Sequence, residues 1–274
     1  MMTTMNIKNT IIEELELRGY EVAECTKIDN GVELAGIRII NDSNFQPIFY
    51  IDRLVEDIIE NSRSIYQVVN RIIDIVENSQ PNVNINEISK PEFIINNVYV
   101  GIQKKSNDDT VKRDCFFDNT ESYLYVKCSE DGSFKLKTEL FKQLKISEEE
   151  LWNKAMEHTR ATATIKSLSS IVGDIMGEEV KGGENINLYV LTNKDNFRGS
   201  ACILDPIIRR RIKTYFKTNQ ILILPSSIHE LIIKPIYDNE EIDIGYMEKM
   251  IREVNEGYVD ETEQLGDRPY ILKL

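Results

Sequence analysis

The apolar residues of this chain change their spacing several times, and that change of period constrains the fold more than any other feature. Ile7, Ile11, Ile12 and Leu15 recur at helical intervals, and the run stops at Gly19, a residue able to take the left-handed conformation that ends a helix. The pattern then turns extended over Tyr20 to Ile28 and Val32 to Ile40, with Asp29-Asn30-Gly31 between the two runs. Asn-Gly tolerates positive φ at both central positions of a tight turn, so a hairpin is expected here. Phe49 and Tyr50 lead back to helical spacing, first through Leu54, Val55, Ile58 and Ile59, then through Ile65, Val68, Val69, Ile72, Ile73 and Val76. Helices and strands that mix at this scale predict an α+β fold.

From Asn78 to Lys90 the composition shifts to Asn, Ser, Gln and Pro81, which marks a linker. Beyond it, strands are expected at Phe93 to Gln103 and Tyr123 to Cys128, with Ser106-Asn107-Asp108-Asp109 as an exposed loop between them. Ser147-Glu148-Glu149-Glu150 reads as a capping box. It opens a helix that places Leu151, Trp152, Ala155 and Met156 on one face, with Trp152 in the core. Gly173, Gly177 and Gly182-Gly183 mark a flexible region. Strands are then expected at Ile186 to Leu191, Ser200 to Leu204, Ile221 to Leu224 and Ile228 to Lys234, with helices near Pro206 to Phe216 and Ile244 to Asn255.

Composition narrows the functional classes. With 274 residues, 41% hydrophobic and 29% charged, the chain can bury a core without disulfides. A net charge of -13 opposes direct nucleic-acid binding, which needs clustered Lys and Arg, and favours basic protein partners. The first residues lack a basic region followed by an apolar core, and no apolar run approaches the roughly 20 residues of a membrane helix. A cytoplasmic location is the expectation. Cys25, Cys115, Cys128 and Cys202 are scattered, and the chain has two histidines, so neither a metal site nor a cofactor is expected. Phosphate-binding glycine loops and a serine nucleophile elbow are missing.

Two segments remain as candidates. Arg209-Arg210-Arg211 with Lys213 and Lys217 fans out around a helix, as a solvated face or a partner of the acidic stretch from Asp238 to Asp267. In Pro225-Ser226-Ser227-Ile228-His229-Glu230, Ser226 or Ser227 with His229 and Glu230 could supply a nucleophile, a base and an acid. If Ile228 to Lys234 is a strand, however, His229 shares a face with Leu231 and Ile233 while Glu230 points the other way, and the pair does not converge. The competing expectation is a tight turn in which a serine bonds the local backbone and His229 is packed. His158 reads as a cation at a helix C-terminus.

Several segments resemble one bacterial family of unknown function, found in Firmicutes and their mobile elements. They are Leu188 to Asn193, Gly199-Ser200-Ala201, Ile223 to Glu230, Met250 to Asn255 and Asp267 to Tyr270, with Ile146 to Trp152 upstream. The P-S-S-I-H-E run is its marker. The resemblance implies a bacterial cytosolic protein and carries no activity.

These readings combine into one expectation. The fold is α+β, with mostly antiparallel sheets, helices packed on one face, and two lobes. Residues 1–80 form a helix-hairpin-helix-helix lobe, and 86–274 a larger lobe carrying Ser226, Ser227, His229 and Glu230 as family-signature binding residues. The function expected is non-enzymatic protein binding or regulation, in a phage or mobile-element setting, against a basic target that handles nucleic acid. A small hydrolase centred on the same four residues is the alternative. Elemental analysis of the purified protein is expected to find no stoichiometric transition metal, and about one zinc or iron per chain would refute this.

Overall fold

The computed structural model describes residues 3–41, 46–78, 84–129, 132–171, 187–238 and 240–274. Gly173, Gly177, Gly182-Gly183, Ile186 and residues 79–83 of the expected linker lie outside them. The chain divides into two compact units, Met1–Val83 and Asn84–Leu274.

The first unit begins with the helix Thr4–Leu17, capped by the Thr3 hydroxyl, which accepts from Asn6 N at 3.3 Å. It ends as its glycine requires. Gly19 sits at φ 88°, Gly19 N donates to Glu16 O, and Tyr20 N donates to Leu15 O, which closes a Schellman motif. β1 (Glu21–Asp29) and β2 (Val32–Ile40) pair antiparallel with Asp29 opposite Val32. Asn30 and Gly31 both have positive φ, as the sequence requires of this two-residue turn. β3 (Phe49–Tyr50) adds to β2 and runs into the helix Ile51–Ile59, followed by Ile65–Asn78. Ile7, Ile11 and Leu15, Leu54, and Val68 and Ile72 converge from the three helices on Ile37 and Ile39 of β2. Arg38, between them, lies exposed on the other face.

The second unit holds two antiparallel sheets. β4 (Val98–Lys104), β6 (Thr120–Lys127), β5 (Lys112–Asp114) and β7 (Ser133–Lys135) make the first, with β5 and β7 both paired to β6. The second has the order β12-β10-β11-β9-β8, from β8 (Ala163–Ser167), β9 (Tyr189–Asn193), β10 (Gln220–Leu224), β11 (Leu231–Ile236) and β12 (Tyr270–Lys273). One core joins Val98, Val100, Leu124 and Val126 of the first sheet to Leu191, Ile221, Ile223, Leu231 and Ile233 of the second. Leu151, Trp152 and Ala155 of the helix Glu148–Thr162 enter it, as their spacing predicts. Ser147 caps that helix by accepting from Glu150 N at 3.2 Å. Leu222 and Leu224, on the opposite face of β10, pack with Ile251 of the helix Ile244–Tyr258.

Four local expectations are corrected. Pro91–Asn97 is a helix and the strand starts only at Val98, because Pro91 sits in the first helical turn after an extended Lys90. Gly199–Leu204 is a 3₁₀ helix rather than a strand, entered through Arg198 at φ 55°. β11 begins at Leu231 rather than Ile228. The loop carrying Asp108 is folded inward, with the Asp108 carboxylate between Lys112 at 3.3 Å and Lys135 at 3.2 Å.

Asp205 joins the 3₁₀ segment to the helix Pro206–Phe216. Its Oδ1 accepts from Ile207 N and Ile208 N at 2.6 and 3.1 Å, and its Oδ2 pairs with Arg160 at 3.0 Å. The carboxylate is 1% exposed. Asp205→Ala is expected to cost about 2–4 kcal/mol in chemical denaturation, since it removes a cap and strands a partly buried cation. Asp205→Asn keeps the cap and loses the ion pair, and is expected to cost distinctly less; equal losses would show that the cap contributes nothing.

Candidate functional site

The segment Pro225 to Glu230 lies between β10 and β11 as a turn. Ser227 is buried, and its hydroxyl accepts from the amides of His229 and Glu230 at 3.1 and 3.3 Å, while Ser227 N donates to Glu230 O at 3.2 Å. A serine two residues before an amide is placed for this bond, which the turn reading anticipates. Ile228 drops into the core, and its amide donates to Glu263 O at 2.8 Å.

A second loop is strapped onto this turn. Asn193 closes it by donating to Phe197 O at 2.7 Å and accepting from Phe197 N at 3.1 Å. The His229 carbonyl then accepts from Gly199 N and from the Thr192 hydroxyl, each at 2.9 Å. Ser200 Oγ donates to Ile228 O at 2.6 Å. A Cβ on Gly199 would stand 2.6 Å from Asn193 N, so only glycine allows this approach.

His229 is hydrogen-bonded at one ring nitrogen and faces a carboxylate with the other. Nδ1 accepts from Arg198 N at 3.1 Å, which puts the proton of the neutral ring on Nε2, 3.6 Å from Glu263 Oε1. Burial lowers its pKa, Arg198 lowers it further, and Glu263 opposes them. The Arg198 guanidinium stacks 4.9 Å from Phe197, lies over Tyr123 and Tyr125, and donates to the Tyr123 hydroxyl. Burial raises the Tyr125 pKa. Glu230 is half-buried and burial alone raises its pKa; no cation stands beside its carboxylate among the described residues.

The four predicted residues therefore divide. Ser227 forms the turn, His229 joins the Arg198 loop to Glu263, and Ser226 lines an apolar cavity with Leu224 and Ile232. His229 does not continue the face of Leu231 and Ile233, because the strand starts two residues after it. Among the described residues no hydrogen bond links a serine hydroxyl to the imidazole, and the lone pair of the neutral ring, on Nδ1, accepts from Arg198 N. Two of the four cysteines are made poor nucleophiles by burial, which pushes the Cys202 thiol up to about 12 and raises that of Cys115. Among the described residues no three His, Cys, Asp or Glu side chains group as a metal would require. His158, in the last turns of its helix, has its Nδ1 2.9 Å from Val98 O and its ring tilted against Tyr99.

Sequence reasoning missed Arg198, Tyr123 and Glu263, which surround His229. Tyr123 and Tyr125 alternate with the core residues Leu124 and Val126, so period two was a usable signal for them. Nothing local marks Glu263, which arrives from 34 residues downstream. Among the described residues no ion pair joins the basic helix to the acidic stretch: Lys213 donates to Leu274 O at 3.2 Å, and Arg210, Arg211 and Lys217 are exposed.

What the fold and site define is a two-unit α+β protein whose most distinctive segment is a turn bonded into the core. The chain belongs to a family of unknown function (DUF5688), whose pattern matches residues 4–273. No curated protein and no solved structure matches it.

The two titrating groups of the turn carry opposite signs. His229 has its folded pKa depressed, so its contribution to stability is present above its unfolded value near 6.5 and is lost as pH falls toward the folded value. Glu230 has its folded pKa raised, so its contribution is present below about 4.3 and is lost as pH rises through the folded value. His229→Gln is expected to flatten the fall in stability between about pH 7.5 and 5.5, and Glu230→Gln to raise the melting temperature at pH 7. An unchanged pH profile in the first variant, or a lower melting temperature in the second, would refute these assignments.

Proposed function

We propose that this protein is a non-enzymatic binding or regulatory protein that engages a basic protein through the acidic surface of its C-terminal segment. One observation carries the reading. The helix Ile244–Tyr258 exposes Tyr246 at 62% and Tyr258 at 88% on a stretch dense in carboxylates. From Asp238 to Asp267 there are eleven Asp and Glu against Lys249 and Arg252, so nine of the thirteen net negative charges reside there. Both cations are engaged locally, Arg252 with Glu248 at 3.5 Å and Lys249 with Glu253 at 3.6 Å. Exposed tyrosines offer large contact area at small entropic cost, and the surrounding carboxylates steer a cationic partner.

The spent state of Ser227 and His229 supports binding over hydrolysis. In this reading Ser226, Ser227, His229 and Glu230 serve recognition by holding the second sheet and the strap in register. The setting we propose is bacterial and cytoplasmic, in a phage or mobile element, with a basic nucleic-acid-handling protein as target. Acidic proteins inhibit such targets by covering the surface that meets phosphate.

The test is affinity capture from a bacterial host in parallel with a variant carrying Glu253→Lys, Glu256→Lys, Glu261→Lys and Tyr258→Ala. A basic protein enriched by the native chain, released at about 0.5 M salt and lost in the variant, is the expected result. Enrichment that survives both changes, or enrichment of nucleic acid instead of protein, would overturn the proposal. Circular dichroism of the variant confirms that the fold is kept.

A further inference from the structure

The second sheet separates two helices of opposite charge. Side chains alternate along β10, so Ile221 and Ile223 lie on one face and Leu222 and Leu224 on the other. The helix Pro206–Phe216 lays Ile208, Ile212 and Phe216 into the core that holds the first pair. Phe216 also meets Tyr189 of β9, with ring centroids 4.5 Å apart. The helix Ile244–Tyr258 packs Ile251 with the second pair. The two helices therefore stand on opposite sides of one sheet, and their outer faces look in opposite directions.

Those outer faces are complementary. From Pro206 to His229 the sequence holds five Lys and Arg and no Asp or Glu. Ile208, Ile212 and Phe216 recur every four residues and turn inward, which leaves Arg210, Arg211 and Lys217 exposed beside Tyr215, itself 71% exposed. Across the sheet, the helix Ile244–Tyr258 and the chain after it expose Glu253, Glu256, Asp260 and Glu261. The segregation extends to the whole unit. Residues 84–274 carry 26 Lys and Arg against 32 Asp and Glu, a net charge of -6, while the stretch Asp238 to Asp267 alone carries -9. Everything else in the unit sums to +3.

We propose that the basic outer face of the helix Pro206–Phe216 docks on the acidic face of a second copy of this chain, so that copies associate front to back. Charge complementarity selects this occupant. Each copy brings both surfaces, with Tyr215 exposed on one and Tyr258 on the other to add contact area. Because the surfaces lie on opposite sides of the sheet, a twofold axis cannot engage both at once. The contact is heterologous, and copies add in a row unless the rotation closes a ring. The net charge of -13 opposes association at long range. A Debye length of about 10 Å at 0.1 M salt screens that repulsion and leaves touching charges paired. This inference deepens the functional reading, since it rests on the same acidic surface and regulates it: associated copies have that surface covered.

The test is sedimentation velocity of the purified full-length chain with no partner present, which keeps its failure separate from a failure of affinity capture. At about 0.1 M salt the mean sedimentation coefficient is expected to rise between about 10 and 300 µM protein, and the rise to vanish at about 1 M salt. Two variants read the contact itself. Arg210→Gln, Arg211→Gln and Lys217→Gln remove the basic face, and Glu253→Gln, Glu256→Gln and Glu261→Gln remove the acidic one. All six positions are exposed, and circular dichroism confirms that both variants keep the fold. Each variant alone is expected to stay a single chain. An equal mixture is expected to form one-to-one pairs that grow no further, because each variant keeps the surface that the other lacks. A native chain that stays single throughout, association that strengthens with salt, or variants that do not combine would overturn the proposal. So would poly(U) RNA bound by single native chains and released by the basic-face variant, which assigns the helix to phosphate.

Discussion

The carbonyl of His229 accepts two hydrogen bonds, from the Gly199 amide and the Thr192 hydroxyl, and much of the second unit depends on that atom. It ties the turn before β11 to the loop after β9, two strands that are already neighbours through Leu231 and Leu191. Gly199 makes the approach possible, since any Cβ would strike the backbone of Thr192 and Asn193. The 3₁₀ segment that follows then lowers Ala201, Cys202 and Ile203 into the shared core, and Asp205 starts the next helix. A change at the carbonyl is thus transmitted to strand pairing, core and helix capping together, because these bonds share one short path of chain. Of the residues that resemble a catalytic set in sequence, Ser227 and His229 take part in this junction.

Electrostatics follow a similar division between inside and outside. On the first sheet, Asp108 is kept ionised despite burial, because the Thr110 hydroxyl and the Lys135 charge outweigh desolvation. Glu121 there accepts from Gln103, Ser106 and Lys112. Asp108, Glu121, Lys112 and Lys135 answer one another here, as partial burial demands. The C-terminal segment is the opposite case. Its carboxylates outnumber its cations and face water, where repulsion costs little and remains available to a partner.

The helix Ile244–Tyr258 links these themes. Asp243 caps it by accepting from Tyr246 N at 2.9 Å, and Ile251 packs it onto Leu222 and Leu224. Its last turns are less well filled. Asn255 leaves an acceptor unpaired beside the apolar cavity and also borders a second, polar cleft of about 290 Å³ with Lys104, Gln264 and Arg268.

Features set by neighbouring residues were legible in the sequence alone. Gly19 ending the first helix, the Asn30-Gly31 turn, the Ser147 cap, the helix Pro206–Phe216 and the α+β class each follow from spacing or from local backbone preference. Ser227 bonding its own turn belongs with them, since its partners are two and three residues away. Tertiary structure decided the rest. Pro91–Asn97 became a helix and Gly199–Leu204 a 3₁₀ turn although both read as strands, because apolar runs that short carry no distinguishable period. The surroundings of His229 come from Arg198 and Glu263, 31 residues before it and 34 after, and the unpaired oxygen of Asn255 exists only because Gly266 claims the nitrogen. Periodicity reports which side of an element is buried. It does not report what meets that side, which is set by sheet order and by loops whose partners lie far along the chain.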